Sequence, residues 1–156
     1  TSNTGPWGWI GNRTTLWEQV EKSIETTMRG KKPAAAVVEA LVAYLELFDT
    51  APPGSVEQNR AAVKRGSGVF DRLKCGKCHR PPAYTTAGSY DVGLADETGQ
   101  SSYNPPSLRG LPHRGWFLHD NRTRSLSRAL ELHRPAAMKD LPDTARSDLL
   151  SFLLSL

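Results

Sequence analysis

Apolar residues recur along this chain with the period of a helix. Leu16, Val20, Ile24 and Met28 are spaced by four and predict one apolar face. Thr15-Leu16-Trp17-Glu18 has the S/T-x-x-E form of a capping box, so this helix is expected to open at Leu16. Gly30 is expected to end it. Pro33 suits the first turn of a second helix. Val37, Val38, Leu41, Val42, Leu45 and Phe48 give that helix a denser stripe. Residues 49–54 include Ala-Pro-Pro-Gly and read as a linker. Ser55 and Gln58 form a second capping box, and a helix is expected from Val56 toward Leu73, loosened by Gly66 and Gly68.

Beyond residue 80 the pattern fades. Residues 80–112 are rich in Pro, Gly, Ser, Tyr and Thr and read as long loops. Periodicity returns with Leu126, Ala129, Leu130 and His133, capped by Ser125 and stopped by Pro135. A last helix carries Leu149, Leu150, Phe152 and Leu153, with Asp143 or Thr144 as its cap. No segment alternates as a strand does. The expected fold is all-α with long loops.

Two parts of this pattern resemble each other. Asn12-Arg13-Thr14-Thr15-Leu16 parallels Asn121-Arg122-Thr123-Arg124-Ser125-Leu126 with one residue inserted. Leu16, Val20 and Met28 match Leu126, Leu130 and Met138 at a constant offset. After a two-residue gap, Leu41, Tyr44 and Leu45 match Leu149, Phe152 and Leu153. A duplication is favoured over the chance likeness of two amphipathic helices. Residues 1–50 would then be a partial helical unit and residues 51–156 a fuller one.

Composition limits the function classes. The 156 residues are 38% hydrophobic and 23% charged, a thin core for the length. A buried planar cofactor would supply the missing apolar volume. The net charge of +4 suits an acidic partner, but the basic residues are dispersed and form no nucleic-acid stripe. No stretch approaches the ~18–20 apolar residues of a membrane span.

The chemistry lies in Cys75-Gly76-Lys77-Cys78-His79, a C-x-x-C-H sequence. Two thiols three positions apart can each add to a vinyl group on one porphyrin edge. The histidine that follows then lies under the iron as its proximal ligand. A zinc site would need four ligands and a thioredoxin-like dithiol a βαβ setting, and the chain has neither pattern. One covalent haem c, through Cys75 and Cys78, is the favoured reading. Residues 51–156 are thus expected to be a monohaem domain, and residues 1–50 a partial cytochrome-like unit whose own haem motif lies before residue 1 or was lost. Covalent haem attachment takes place outside the cytoplasm, so a periplasmic or otherwise extracytoplasmic location is expected. No export signal is visible, which is expected of a mature or excised fragment.

The motif and the segments around it occur in a recognisable order. They are Gly68-Val69-Phe70, Cys75 to His79, Asn104-Pro105-Pro106-Ser107-Leu108-Arg109-Gly110, Leu118-His119-Asp120-Asn121, and Ser125-Leu126-Ser127-Arg128-Ala129-Leu130. This order resembles the C-terminal haem domain of bacterial di-haem cytochrome c peroxidases and their methylamine-utilisation relatives, including domains of planctomycete-type multidomain cytochromes. The resemblance implies a class I cytochrome c-like fold wrapped around one haem. It also implies that Arg109 lies by a haem propionate. Asn121 stands where the family pattern has glycine, and the first haem motif, where the family's peroxide chemistry takes place, is absent.

The second axial ligand sets the behaviour of the iron. His133, at the end of its helix, is preferred, with Met138 as the alternative. His119 is expected to make a structural hydrogen bond, His113 to be a loop residue, and Met28 to serve only a missing first haem. Tyr84, Tyr90, Tyr103 and Trp116 are candidates to wall the porphyrin. Two strong axial ligands leave no substrate site, so the expected function is electron transfer to a redox partner or an adjacent enzyme domain. The alternatives are a haem peroxidase or oxidoreductase, with His113, His119 or Asp120 as acid–base group, and a haem-based sensor module.

Overall fold

The computed structural model describes residues 4–48, 59–133 and 135–156. Helix α1 spans Leu16–Lys22 and continues as a π-helical turn over Ser23–Thr27. α2 spans Ala35–Leu47, α3 Arg60–Arg72, α4 Leu126–His133, α5 Pro135–Lys139 and α6 Asp143–Leu153. Two two-residue strands, β1 (Tyr90–Asp91) and β2 (Ser102–Tyr103), form an antiparallel ribbon in the loop region where no strand is expected. They are too short for alternation to register in the sequence. The expected linker at 49–54, the boundary between residues 50 and 51 and the Ser55–Gln58 capping box lie outside the described residues.

The local signals meet mixed outcomes. The Thr15–Glu18 capping box forms in both directions. The regular four-residue face does not persist. Met28 N–H bonds Ser23 O, five residues back, and this wider turn rotates Met28 off the face that buries Val20, leaving it 73% exposed. Arg29, not Gly30, takes the left-handed position after the helix (φ 54°), and Gly30 N–H closes the turn on Ile24 O at 2.8 Å. α2 starts one residue beyond its N-cap Ala34, so Pro33 precedes the helix. Asn59 caps α3 through its side chain. Pro135 opens α5 and Pro142 is the N-cap of α6, with Asp143 in its first turn.

The core lies where α3 crosses α6. Val69, Phe70, Leu111, Met138, Leu141, Leu149, Phe152 and Leu153 form one buried cluster, with Leu149 only 1% exposed. Gly66 permits the crossing. A Cβ there would sit 2.0 Å from Asp148 O and 2.7 Å from Phe152 Cβ. Beside it Arg65 grips Asp148 with two bonds, Nε at 2.7 Å and the second nitrogen at 2.8 Å. Gly66→Ala is therefore expected to destabilise the fold by about 1–3 kcal/mol or more, because backbone must move. Gly68, with open space around it, is the control: Gly68→Ala should stabilise by about 0.5–1 kcal/mol. Urea unfolding of both variants checks the opposite signs.

One backbone pattern occurs twice. Trp7 N–H bonds Arg13 O, and Phe117 N–H bonds Thr123 O, both at 2.9 Å. Within these turns Gly11 N–H bonds Gly8 O, as Asn121 N–H bonds Leu118 O. Gly8 and Gly11 have positive φ, and so do Leu118 and Asn121. Thr15 Oγ1 then accepts from Glu18 N–H, as Ser125 Oγ accepts from Arg128 N–H. Each pair lies 110 residues apart, so the turns align with Gly11 on Asn121 and need no inserted residue. The N-caps Ala34 and Pro142 share extended backbone and stand 108 residues apart.

Candidate haem site

Helix α3 delivers the chain to the motif. Lys74 turns it through a left-handed conformation (φ 57°), and Cys75–Lys77 form one 3₁₀ turn. Cys75 O receives N–H bonds from both Cys78 (3.2 Å) and His79 (2.9 Å), which curls the pentapeptide tightly. Both cysteines are half-buried, no disulfide joins them, and Cys75 packs on the core cluster.

The His79 ring is oriented by the loops. Its Nδ1 lies 3.1 Å from Tyr84 O. With the proton on Nδ1, the Nε2 lone pair is the one available to a metal. Tyr84 is itself anchored, its ring edge-on to Phe70 (6.0 Å) and Phe152 (6.2 Å). The same carbonyl accepts Leu108 N–H at 3.2 Å. Ser107 Oγ donates to Ala83 O, and Thr86 Oγ1 to Cys78 O. The buried Asn104 donates to Thr86 O and Gly88 O. Segment 104–108 thus laces down segment 83–88, and the core aromatics set the orientation of His79 through Tyr84. Burial pushes the His79 pKa down, against the backbone hydrogen bonds that raise it, and favours neutral imidazole.

α4 ends at His133, with Leu126 and Leu130 against the core. The His133 and His79 ring centroids are 6.4 Å apart and their planes are 72° from parallel. Met138, the alternative, is 3% exposed within the apolar cluster, and its carbonyl accepts from Arg146 at 2.8 Å. The remaining expected residues make contacts of their own. Arg109 is exposed, its N–H on Ser107 Oγ. Trp116 is half-exposed beneath the Arg124 guanidinium, 4.0 Å from its ring centroid. Tyr103 is buried and stacked on His119 at 4.2 Å, with its hydroxyl 3.2 Å from His119 Nε2, and Trp9 meets the other side of that ring. Tyr90 bonds Thr86 through its hydroxyl.

Arg114 carried no signal in the sequence. Its guanidinium donates to Ser107 O at 2.7 Å and lies near enough to help lower the His79 pKa. Desolvation pushes its own pKa down. Arg114 is thus a cation whose field reaches His79.

No family model matches the chain. Methylamine utilization protein MauG of Methylophilus methylotrophus is 26% identical over 149 residues, covering 78% of this chain and 44% of that protein. A MauG-like protein associated with microbial copper homeostasis has the same fold, with a TM-score of 0.73 at 16% identity, over 98% of this chain and 69% of that one. The chain thus resembles MauG in sequence and a MauG-like protein in fold. This chain also matches hydrazine synthase of Kuenenia stuttgartiensis in fold, with a TM-score of 0.79 at 18% identity, covering 98% of this chain and 68% of the other. It spans less than half the length of the MauG relative. Among its described residues no helix is long and apolar enough to cross a membrane.

Proposed function

We propose that this MauG-like domain binds one haem c through Cys75 and Cys78, with His79 and His133 as axial ligands, and transfers electrons. The observation that carries the reading is the 6.4 Å between the two imidazole centroids. Imidazoles on opposite sides of one metal ion, each bonded at about 2.0–2.1 Å, have centroids about 6 Å apart. The residues therefore fit the group. A bound haem supplies a one-electron iron couple.

The chain's own residues do the rest. Cys75 and Cys78 fix the porphyrin edge. Tyr84 O holds the His79 tautomer, which keeps the ligand geometry unchanged between charge states. His133 would hold the iron together with His79 and so leave no position for a substrate. Arg114 is the favoured partner for a haem propionate, since its charge lies close to His79 and a guanidinium–carboxylate contact is a charge-assisted bond. Asp120, a candidate acid in a peroxidase reading, is tied to Arg122 with Nε–Oδ2 at 2.6 Å. That hydrogen bond holds its carboxyl below the ordinary carboxylate range, in the form that cannot donate a proton. The domain serves a redox partner or an adjacent enzyme domain, outside the cytoplasm. The paired turns and caps support a duplication in which residues 1–50 are a partial cytochrome-like unit.

Absorption spectra of the loaded chain test the function. We expect reversible one-electron reduction and no change with carbon monoxide or cyanide on mixing. Rapid ligand binding together with peroxide turnover would overturn the reading in favour of an enzyme.

A further inference from the structure

α2 leaves an apolar stripe in the open. Val37 is 50% exposed, Leu41 37% and Tyr44 58%, whereas Val38 on the neighbouring face is fully buried. The equivalent positions of α6, aligned through the N-caps Ala34 and Pro142, are Ala145, Leu149 and Phe152. There the stripe is covered: Leu149 is 1% exposed and Phe152 7%. The cover is α3, which crosses over Asp148 and Phe152 with Gly66.

From this mismatch we infer that the Val37–Leu41–Tyr44 face is a docking site for an amphipathic helix of the α3 kind. Its occupant carries a small residue at the crossing and apolar residues three before and three and four after, as Val63, Gly66, Val69 and Phe70 do. The atoms that demand a small residue in the α3–α6 crossing are a backbone carbonyl and a Cβ. Ala40 and Tyr44 present the same two atoms on α2, so the requirement does not depend on side-chain identity. Burying Leu41 and Tyr44 removes apolar surface from water, which is the driving force for association.

The inference rests on the duplication, not on the haem assignment. A peptide of residues 59–74, closed into a helix by a lactam between Lys64 and Asp in Gly68→Asp, serves as probe. Both bridge positions lie on the exposed side of α3. Titrated into the full chain, it should shift the NMR signals of residues 35–48 saturably. Leu41→Glu in the chain, or Gly66→Leu in the peptide, should each weaken binding about tenfold or more. Failure to bind overturns the inference, as does binding insensitive to either change. Self-association of the peptide-free chain that Leu41→Glu abolishes would also overturn it, by assigning the face to a second copy. The haem spectrum reads the function independently, so the two readings fail separately.

Discussion

His133→Ala, loaded with haem, is expected to bind cyanide in the ferric state and carbon monoxide in the ferrous state within the mixing time, where the unaltered chain does neither. The substitution removes an imidazole at the end of α4 whose ring stands 6.4 Å from that of His79. The lost group is half-buried at a helix end, so the cost to folding is small beside the change in spectrum. Added imidazole should restore the original spectrum. Met138→Ala should do the reverse. Met138 is 3% exposed among Leu111, Leu141 and Leu149, and its truncation leaves a cavity costing about 2–5 kcal/mol. Its ferric spectrum should be unchanged. A far-red thioether charge-transfer band in the unaltered protein, lost in Met138→Ala, would reject the bis-histidine assignment.

Cys75→Ala/Cys78→Ala is expected to convert haem that survives acidified organic extraction into haem that leaves completely. Each single variant should keep one thioether bond and resist extraction. The pyridine haemochrome absorption should move to longer wavelength as each vinyl group is restored. The apo fold of the double variant should remain, because its core is the α3–α6 crossing and Cys75 only borders it. Holo stability should become dependent on haem concentration, since an unlinked ligand stabilises by mass action. Retention of haem after extraction in the double variant would show that the thiols are not its anchors.

The elements with strong local signals were the most legible ones. A capping box is a contact between residues three apart, so Thr15 and Glu18 announce α1 without help from the rest of the chain. The C-x-x-C-H turn is equally local, closed by bonds from Lys77, Cys78 and His79 N–H to Lys74 O and Cys75 O. The π turn after Lys22 was not legible, because its five-residue hydrogen bonds leave the four-residue spacing of the sequence intact while rotating Met28 outward. The ends of α2 and α6 moved because proline fits at or just before an N-cap as well as inside the first turn.

Among the site residues, the sequence by itself determined the two thiols and His79, their spacing, and the helix that ends at His133. The covalent chemistry needs only neighbours along the chain. Tertiary structure alone decided that His133 approaches His79. It drew Met138 into the core, because α5 and α6 fold back over α3, and left the end of α4 beside the motif. It also brought Arg114 toward the ligand by a bond to Ser107 O, and tied His79 to Tyr84 through a loop seated on Phe70 and Phe152. The Gly66 contact joins residues more than eighty positions apart. Such contacts are set by the packing of whole helices, and no periodicity within one segment encodes them.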